Sequence, residues 1–149
     1  MRHAGNMLDP KAVPVRIGRR DAECLVLLRN AEPFRDGYDF VDFVAEVHGP
    51  GLDAVASVRS AEGPQGLAAF MRSLVVDWRG WEGVRRWEAI EHQLVIDAEH
   101  DPLGHVDLRL TVRANWKLDA WEATVGVRLE AGEELSRLAD EVNALLAVT

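Results

Sequence analysis

The strictest constraint in this sequence is the period-two alternation of two neighbouring segments. In 105–113, Val106, Leu108, Leu110 and Val112 alternate with His105, Asp107, Arg109, Thr111 and Arg113. In 121–130, Trp121, Ala123, Val125, Val127 and Leu129 alternate with Glu122, Thr124, Gly126, Arg128 and Glu130. Successive side chains of a strand point to opposite faces, so each segment reads as a strand with one apolar and one polar face. Segment 38–48 repeats the pattern, with Val41, Phe43, Ala45 and Val47 on one face and Phe40, Asp42, Val44, Glu46 and His48 on the other. The turn His48-Gly49-Pro50-Gly51 then predicts a hairpin into a strand over 52–59. The short apolar run 24–28 and the longer segment 86–97 complete a set of six candidate strands.

Two helices accompany them. Pro64 suits a first helical position, and Leu67, Phe70, Met71, Leu74, Val75 and Trp78 follow at the spacing of one buried stripe. Gly80 stands where a left-handed cap residue belongs, with Trp81 placed to fold back on the last turn. A second helix over about 132–147 gathers Leu135, Leu138, Val142, Leu145 and Leu146. One-sided strands need a cover, which amphipathic helices supply. The expected fold is α+β and two-layered: an antiparallel sheet of about six strands, both helices packed on one face, the other face polar and open. A loose N-terminal arm is expected over 1–12, ahead of a single domain over 13–149.

Composition narrows the function classes. At 149 residues and 48% hydrophobic, the chain suits one domain and is too apolar for intrinsic disorder. No apolar run approaches a membrane span, and Met1-Arg2-His3-Ala4-Gly5-Asn6 has no signal-peptide core, so a cytoplasmic chain with no membrane partner is expected. The net charge of −8 lies entirely in residues 88–149, with 13 acidic and 5 basic side chains against 12 and 12 in 1–87. That imbalance argues against nucleic acid, which needs clustered Lys and Arg, and suits a basic protein partner.

Enzyme signals are sparse. No GxGxxG, GxxxxGK[ST], HExxH, GxSxG or CxxC is present, and the lone Cys24 lies in an apolar run where a thiol packs as a small hydrophobe. The densest ionisable cluster is 97–107. His100, His105 and Asp107 there are ligand types for zinc and related ions, the weaker alternative to an ordinary hairpin loop that Asp-Pro and Gly would turn. His92 falls in phase with Ile90, Leu94 and Ile96, with Glu88 as a partner nearer the strand start, the pattern of a hydrogen-bonded core histidine. No cofactor is implied.

The five tryptophans separate by phase. Trp78 and Trp121 continue apolar stripes and read as core. If Ile90, Leu94 and Ile96 point inward, alternation sends Trp87 and Glu91 to the open face, where Phe40 also lies. An aromatic patch surrounded by polar side chains is the anatomy of a binding surface. Trp87, Glu91, Arg109, Glu122 and the loop residue Trp116 are its candidate members.

The segments Trp78-Arg79-Gly80-Trp81 and Gly104-His105-Val106, with the acidic C-terminal helix, resemble a family of small actinobacterial proteins of uncharacterised function. That resemblance brings no catalytic residues. In size, acidity and layout the chain is also similar to immunity proteins of bacterial toxin systems. The resulting expectation is a non-catalytic binding protein that neutralises a toxin by protein–protein contact. A small metal-dependent hydrolase built on 97–107 and a structural or regulatory homo-oligomer are the alternatives.

Overall fold

The computed structural model describes residues 13–34 and 39–148; the N-terminal arm expected over 1–12 lies outside them. Among these described residues, eight strands form two antiparallel meanders of four. The first contains β1 (Val15–Ile17), β2 (Leu25–Pro33), β3 (Phe40–Gly49) and β4 (Leu52–Ala61). The second contains β5 (Arg85–Glu88), β6 (Leu94–His100), β7 (His105–Arg113) and β8 (Glu122–Glu130). Helix α1 (Leu67–Val76) connects the sheets, and α2 (Glu133–Leu146) ends the described chain.

This corrects the single six-stranded sheet with both helices on one face. Each sheet has its own apolar face: Val26, Leu28, Val41, Phe43, Val47 and Val58 on the first, Leu94, Ile96, Val106, Leu108, Leu110 and Val125 on the second. Both faces turn toward one shared hydrophobic core. β3 and β4 touch β7 directly, the two helices pack on each other, and α2 also reaches β1, β2 and β8. Two one-sided sheets cover each other as well as helices would, which leaves two polar outer faces instead of one.

The strongest patterns survive intact. In β3, Val41, Phe43, Ala45 and Val47 are buried in strict alternation. Gly49 pairs with Leu52 across Pro50-Gly51, and Gly51 has φ +71°. Proline at the first central position and a left-handed glycine at the second suit a type II turn. Helix α2 buries Leu135, Leu138, Ala139, Val142, Leu145 and Leu146, and carries Glu133 and Glu134 in its first turn, where the helix dipole favours negative charge. Among the described residues no helix is long and apolar enough to cross a membrane.

Helix α1 is shorter than its stripe. Pro64 belongs to a 3-10 turn, Gly63–Gln65, and the helix buries Leu67, Met71 and Leu74. It ends before Trp78, which is exposed rather than core. Gly66 is fixed at the helix entrance by space: an added Cβ would stand 2.6 Å from the Ala61 carbonyl oxygen, a backbone atom that cannot rotate away. Gly66→Ala is therefore expected to destabilise by about 1–3 kcal/mol in urea unfolding, the usual cost of overpacking.

Segment 86–97 is two strands, not one. The chain turns back over 89–93, with Ala89 N–H donating to the Leu94 carbonyl at 2.9 Å and His92 at φ +64°. Trp87 pairs with Ile96, so the inward phase is odd before the turn and even after it. Trp87 is consequently buried at 7% exposure, inside the core rather than on an open face. Its indole Nε1 donates to the Gln65 carbonyl at 3.1 Å, tying β5 to the entrance of α1. His92 is exposed at the turn, its Nδ1 2.9 Å from Glu88 Oε2, so the expected pair forms at the surface instead of in the core.

Candidate functional site

The meander of the second sheet sets what gathers at each end. The β5–β6 turn (89–93) and the β7–β8 loop (114–121) emerge at one end, and the 101–104 loop at the other. The Arg113 N–H donates to the Gln93 carbonyl at 2.8 Å, and the Ala114 N–H to the Trp121 carbonyl at 3.2 Å. These bonds seat the base of the long loop beside the short turn. Three of the five sequence candidates, Glu91, Trp116 and Glu122, therefore share one end.

The loop is unusually apolar for an exposed segment. Trp116 is 61% exposed, Leu118 98% and Trp121 44%. Trp121 is displaced from the core because β8 begins only at Glu122; the buried phase holds from Val125 onward. Lys117 N–H bonds to the Asn115 side chain at 2.8 Å and Ala120 N–H to the Lys117 carbonyl at 3.1 Å, so the loop is internally braced. Such braced loops hold side chains ready for contact at little ordering cost.

The other two candidates lie elsewhere. Trp87 is in the core, as described. Arg109 sits mid-strand on the outer face of the second sheet, across from Gly126, above a depression of about 400 Å³. That face is polar and largely self-neutralised. Arg86 forks onto Asp97 at 2.7 and 2.9 Å, and Arg128 onto Asp107 at 2.7 and 2.9 Å. Each arginine, bonded directly to its partner, holds that carboxylate below its ordinary pKa. Phe40 belongs to the first sheet, half-buried with its ring 5.9 Å from Phe34. The expected Phe40–Trp87 patch does not exist.

Nor do His100, His105 and Asp107 converge. The His100 ring nitrogens face the backbone carbonyls of Asp101, at 2.7 Å, and Trp78, at 2.8 Å, and Trp81 packs edge-on against the ring. His105 Nδ1 lies 3.0 Å from Asp101 Oδ2, while Asp101 Oδ1 accepts the N–H groups of Leu103 and His105. Those backbone bonds, foremost that of His105, hold Asp101 below the usual carboxylate range. The cluster is a hydrogen-bonded hairpin loop. Among the described residues no group of three His, Cys, Asp or Glu side chains is placed to hold a metal ion.

A feature missed in the sequence lies at the β5–β6 turn. The Ile90 N–H donates to the Arg59 carbonyl of β4 at 3.0 Å, which docks the β5–β6 turn on the edge of the first sheet. Between them lies a hollow of about 300 Å³ whose wall includes Asn30, Glu32, Asp42, Arg59, Glu91 and Gln93. A register shift between Arg29 and Glu32, with Asn30 at φ +59°, puts Glu32 directly opposite Asp42. Without that bulge Glu32 would follow Val26 and Leu28 toward the core. Arg59 bonds both oxygens of Asp42, at 2.8 and 3.0 Å, and its guanidinium lies 3.6 Å above the Phe34 ring.

Further along the same outer face is a titratable relay. His48 lies between Asp53, at 2.7 Å, and Glu46, at 2.9 Å, and Glu46 also bonds Arg29. Asp53 first, then Glu46, raises His48 above its ordinary 6.5; Arg29 first, then His48, lowers Glu46 below its ordinary 4.5. The histidine's contribution is complete below its unfolded value and disappears as pH rises through its folded value. Glu46 acts oppositely, its contribution vanishing as pH falls through its lowered value. Both are present between about 4.5 and 6.5. Thermal melts of His48→Gln are expected to lose the natural chain's decline in stability above that window.

No curated protein matches the chain. The solved structure of the plant transcriptional regulator PBF-2 is similar over 90% of this chain and 81% of its own, with a TM-score of 0.48 and 10% identity. A family model matches residues 17–149, and the chain accordingly belongs to DUF6228, a family of unknown function.

Proposed function

We propose that this protein is a non-catalytic binding protein that acts by protein–protein contact, in the manner of an immunity protein that blocks a basic toxin. One observation carries the reading: Trp116, Leu118 and Trp121 stand exposed together on one braced loop, beside the acidic residues Asp119, Glu122 and Glu91. Aromatic anchors with a charged surround are what interface hot spots are made of, and solvent exposure of three such side chains on a free protein is unfavourable unless a partner covers them. The chain's excess negative charge would speed encounter with a basic partner and make it salt-sensitive.

Affinity capture from the native cell tests this, using the natural chain, a Trp116→Ala/Leu118→Ala/Trp121→Ser variant, and Trp78→Ala as a control at another exposed tryptophan. The reading expects one basic protein recovered near 1:1, lost with the loop variant and retained with the control. Recovery independent of the loop, or a stable homodimer in light scattering that the loop variant dissolves, would count against it. The second result would favour the homo-oligomer.

A further inference from the structure

Strand β8 ends the second sheet, and its backbone groups sort by parity. The Trp121 carbonyl accepts from the Ala114 N–H at 3.2 Å, and the Ala131 N–H donates to the Gly104 carbonyl at 2.9 Å. Odd residues of this stretch therefore bond toward β7, and the even ones turn their N–H and C=O groups to the open edge. The outward Glu130 N–H is met by the Glu134 carboxylate at 2.9 Å. The outward groups of Glu122, Thr124, Gly126 and Arg128 have no hydrogen-bond partner among the described residues.

The other edges are short or occupied. β1 has three residues and β5 four, while the Arg59 carbonyl of β4 already accepts from Ile90. β8 runs for nine residues in unbroken register, without the proline or bulge that usually blunts an edge. At its middle stands Gly126, exposed and without a left-handed φ, where an added Cβ would meet nothing within 4 Å. Neither conformation nor space within the chain calls for glycine there, and a bare strand position marks close approach by another backbone.

We infer that β8 pairs antiparallel with β8 of a second copy, about a two-fold axis at Val125. That register sets Glu122 opposite Arg128 of the second copy and Thr124 opposite its Gly126. Such pairs exchange both backbone bonds, so the four open residues are all satisfied and Glu130, already capped, stays outside. Charge selects the same register. Within one chain Glu122 lies across from Arg113 and Arg128 from Asp107. The joined edge therefore carries a row of alternating sign: Arg113 and Glu122 of one copy, then Arg128 and Asp107 of the other. Moving the axis to Gly126 would oppose Glu122 to Glu130, a like-charge pair that sheets avoid. Moving it to Thr124 or Val127 would lose the Glu122–Arg128 pair. The contact is self-complementary, as a two-fold interface must be. It goes beyond the protein-binding reading and does not depend on it, because the two 114–121 loops emerge at opposite ends of the joined edge.

A strip this narrow gives a weak dimer, so the full chain is followed by sedimentation up to about 1 mM. The natural chain should approach twice its monomer mass. Glu122→Arg opposes arginine to arginine and Arg128→Glu opposes glutamate to glutamate, so each variant alone should sediment as a monomer. An equimolar mixture of the two restores opposite charges at both pairs and should recover the doubled mass. Amide exchange at Glu122, Thr124, Gly126 and Arg128 should slow as the natural chain is concentrated, and in neither single variant. Trp116→Ala with Leu118→Ala should remain dimeric, since both residues lie outside the register. A natural chain that stays monomeric throughout, a single charge variant that dimerises as the natural chain does, or a mixture that remains monomeric would overturn the inference. So would a dimer that the Trp116→Ala/Leu118→Ala variant dissolves, which would place the contact at the loop instead.

Discussion

Trp87→Ala is expected to destabilise the protein by about 3–5 kcal/mol, the range for truncating a buried tryptophan. The indole is in the shared core, and its N–H joins β5 to the turn that starts α1. Truncation therefore leaves a cavity and also frees the Gln65 carbonyl. Against a total stability of about 5–15 kcal/mol for a domain of this kind, the loss is severe. For this chain length the melting temperature should fall by roughly 10 °C. Trp87→Phe keeps most of the apolar volume and should cost about 1–2 kcal/mol, from the lost hydrogen bond and the smaller ring. Any effect of Trp87→Ala on partner binding should follow the folded fraction. A stable Trp87→Ala protein that no longer binds would put the indole on the surface and contradict the turn at 89–93.

The loop substitutions should behave in the opposite way. Trp116→Ala with Leu118→Ala is expected to leave stability within about 0.5 kcal/mol, because both side chains are already in water. The same pair should weaken a captured partner's affinity at least about a hundredfold, as truncating two central anchors does at hot spots. Calorimetric titration beside urea unfolding separates the two quantities. If the double variant binds as the natural chain does, the exposed tryptophan and leucine are not anchors. Raising the salt concentration should slow association while changing dissociation little, since the complementary charges act mainly on encounter.

The alternation of 38–48, 105–113 and 121–130 made most of both sheets legible, and the stripe of the last helix was equally plain. What stayed hidden was parity. The turn over 89–93 contains no Gly, Pro, Asn or Asp, and His92 takes the left-handed conformation instead. Simple alternation carried through it placed Trp87 on the wrong face. The bulge after Arg29 has the same effect in the other direction. The apolar run stops at Leu28, yet β2 continues to Pro33 and turns Glu32 outward. A split into two sheets was not visible either, because a one-sided strand does not declare whether a helix or another sheet will cover it.

The candidate site was partly legible for the same reasons. Glu91, Trp116 and Glu122 come together because the meander returns both connections to one end, while Arg109 stays mid-strand. Leu118 and Trp121 were missed as surface anchors: Leu118 lies in a loop and Trp121 continues the strand's apolar phase one step beyond its start. Three large apolar residues within six positions, flanking Lys117 and Asp119, were the available signal. Glu32 and Gln93 had none, since one depends on a bulge and the other on the docking of a turn against β4.

Under the protein-binding proposal, the partner covers the end of the second sheet where 89–93 and 114–121 emerge. Hydrogen exchange of the free chain and of its complex with the captured partner measures this directly. Slowed exchange is expected in 89–93 and 114–121, with 101–104 and the outer strands unchanged. Protection confined to the 101–104 end, or to the outer face around Arg109 and Gly126, would contradict it.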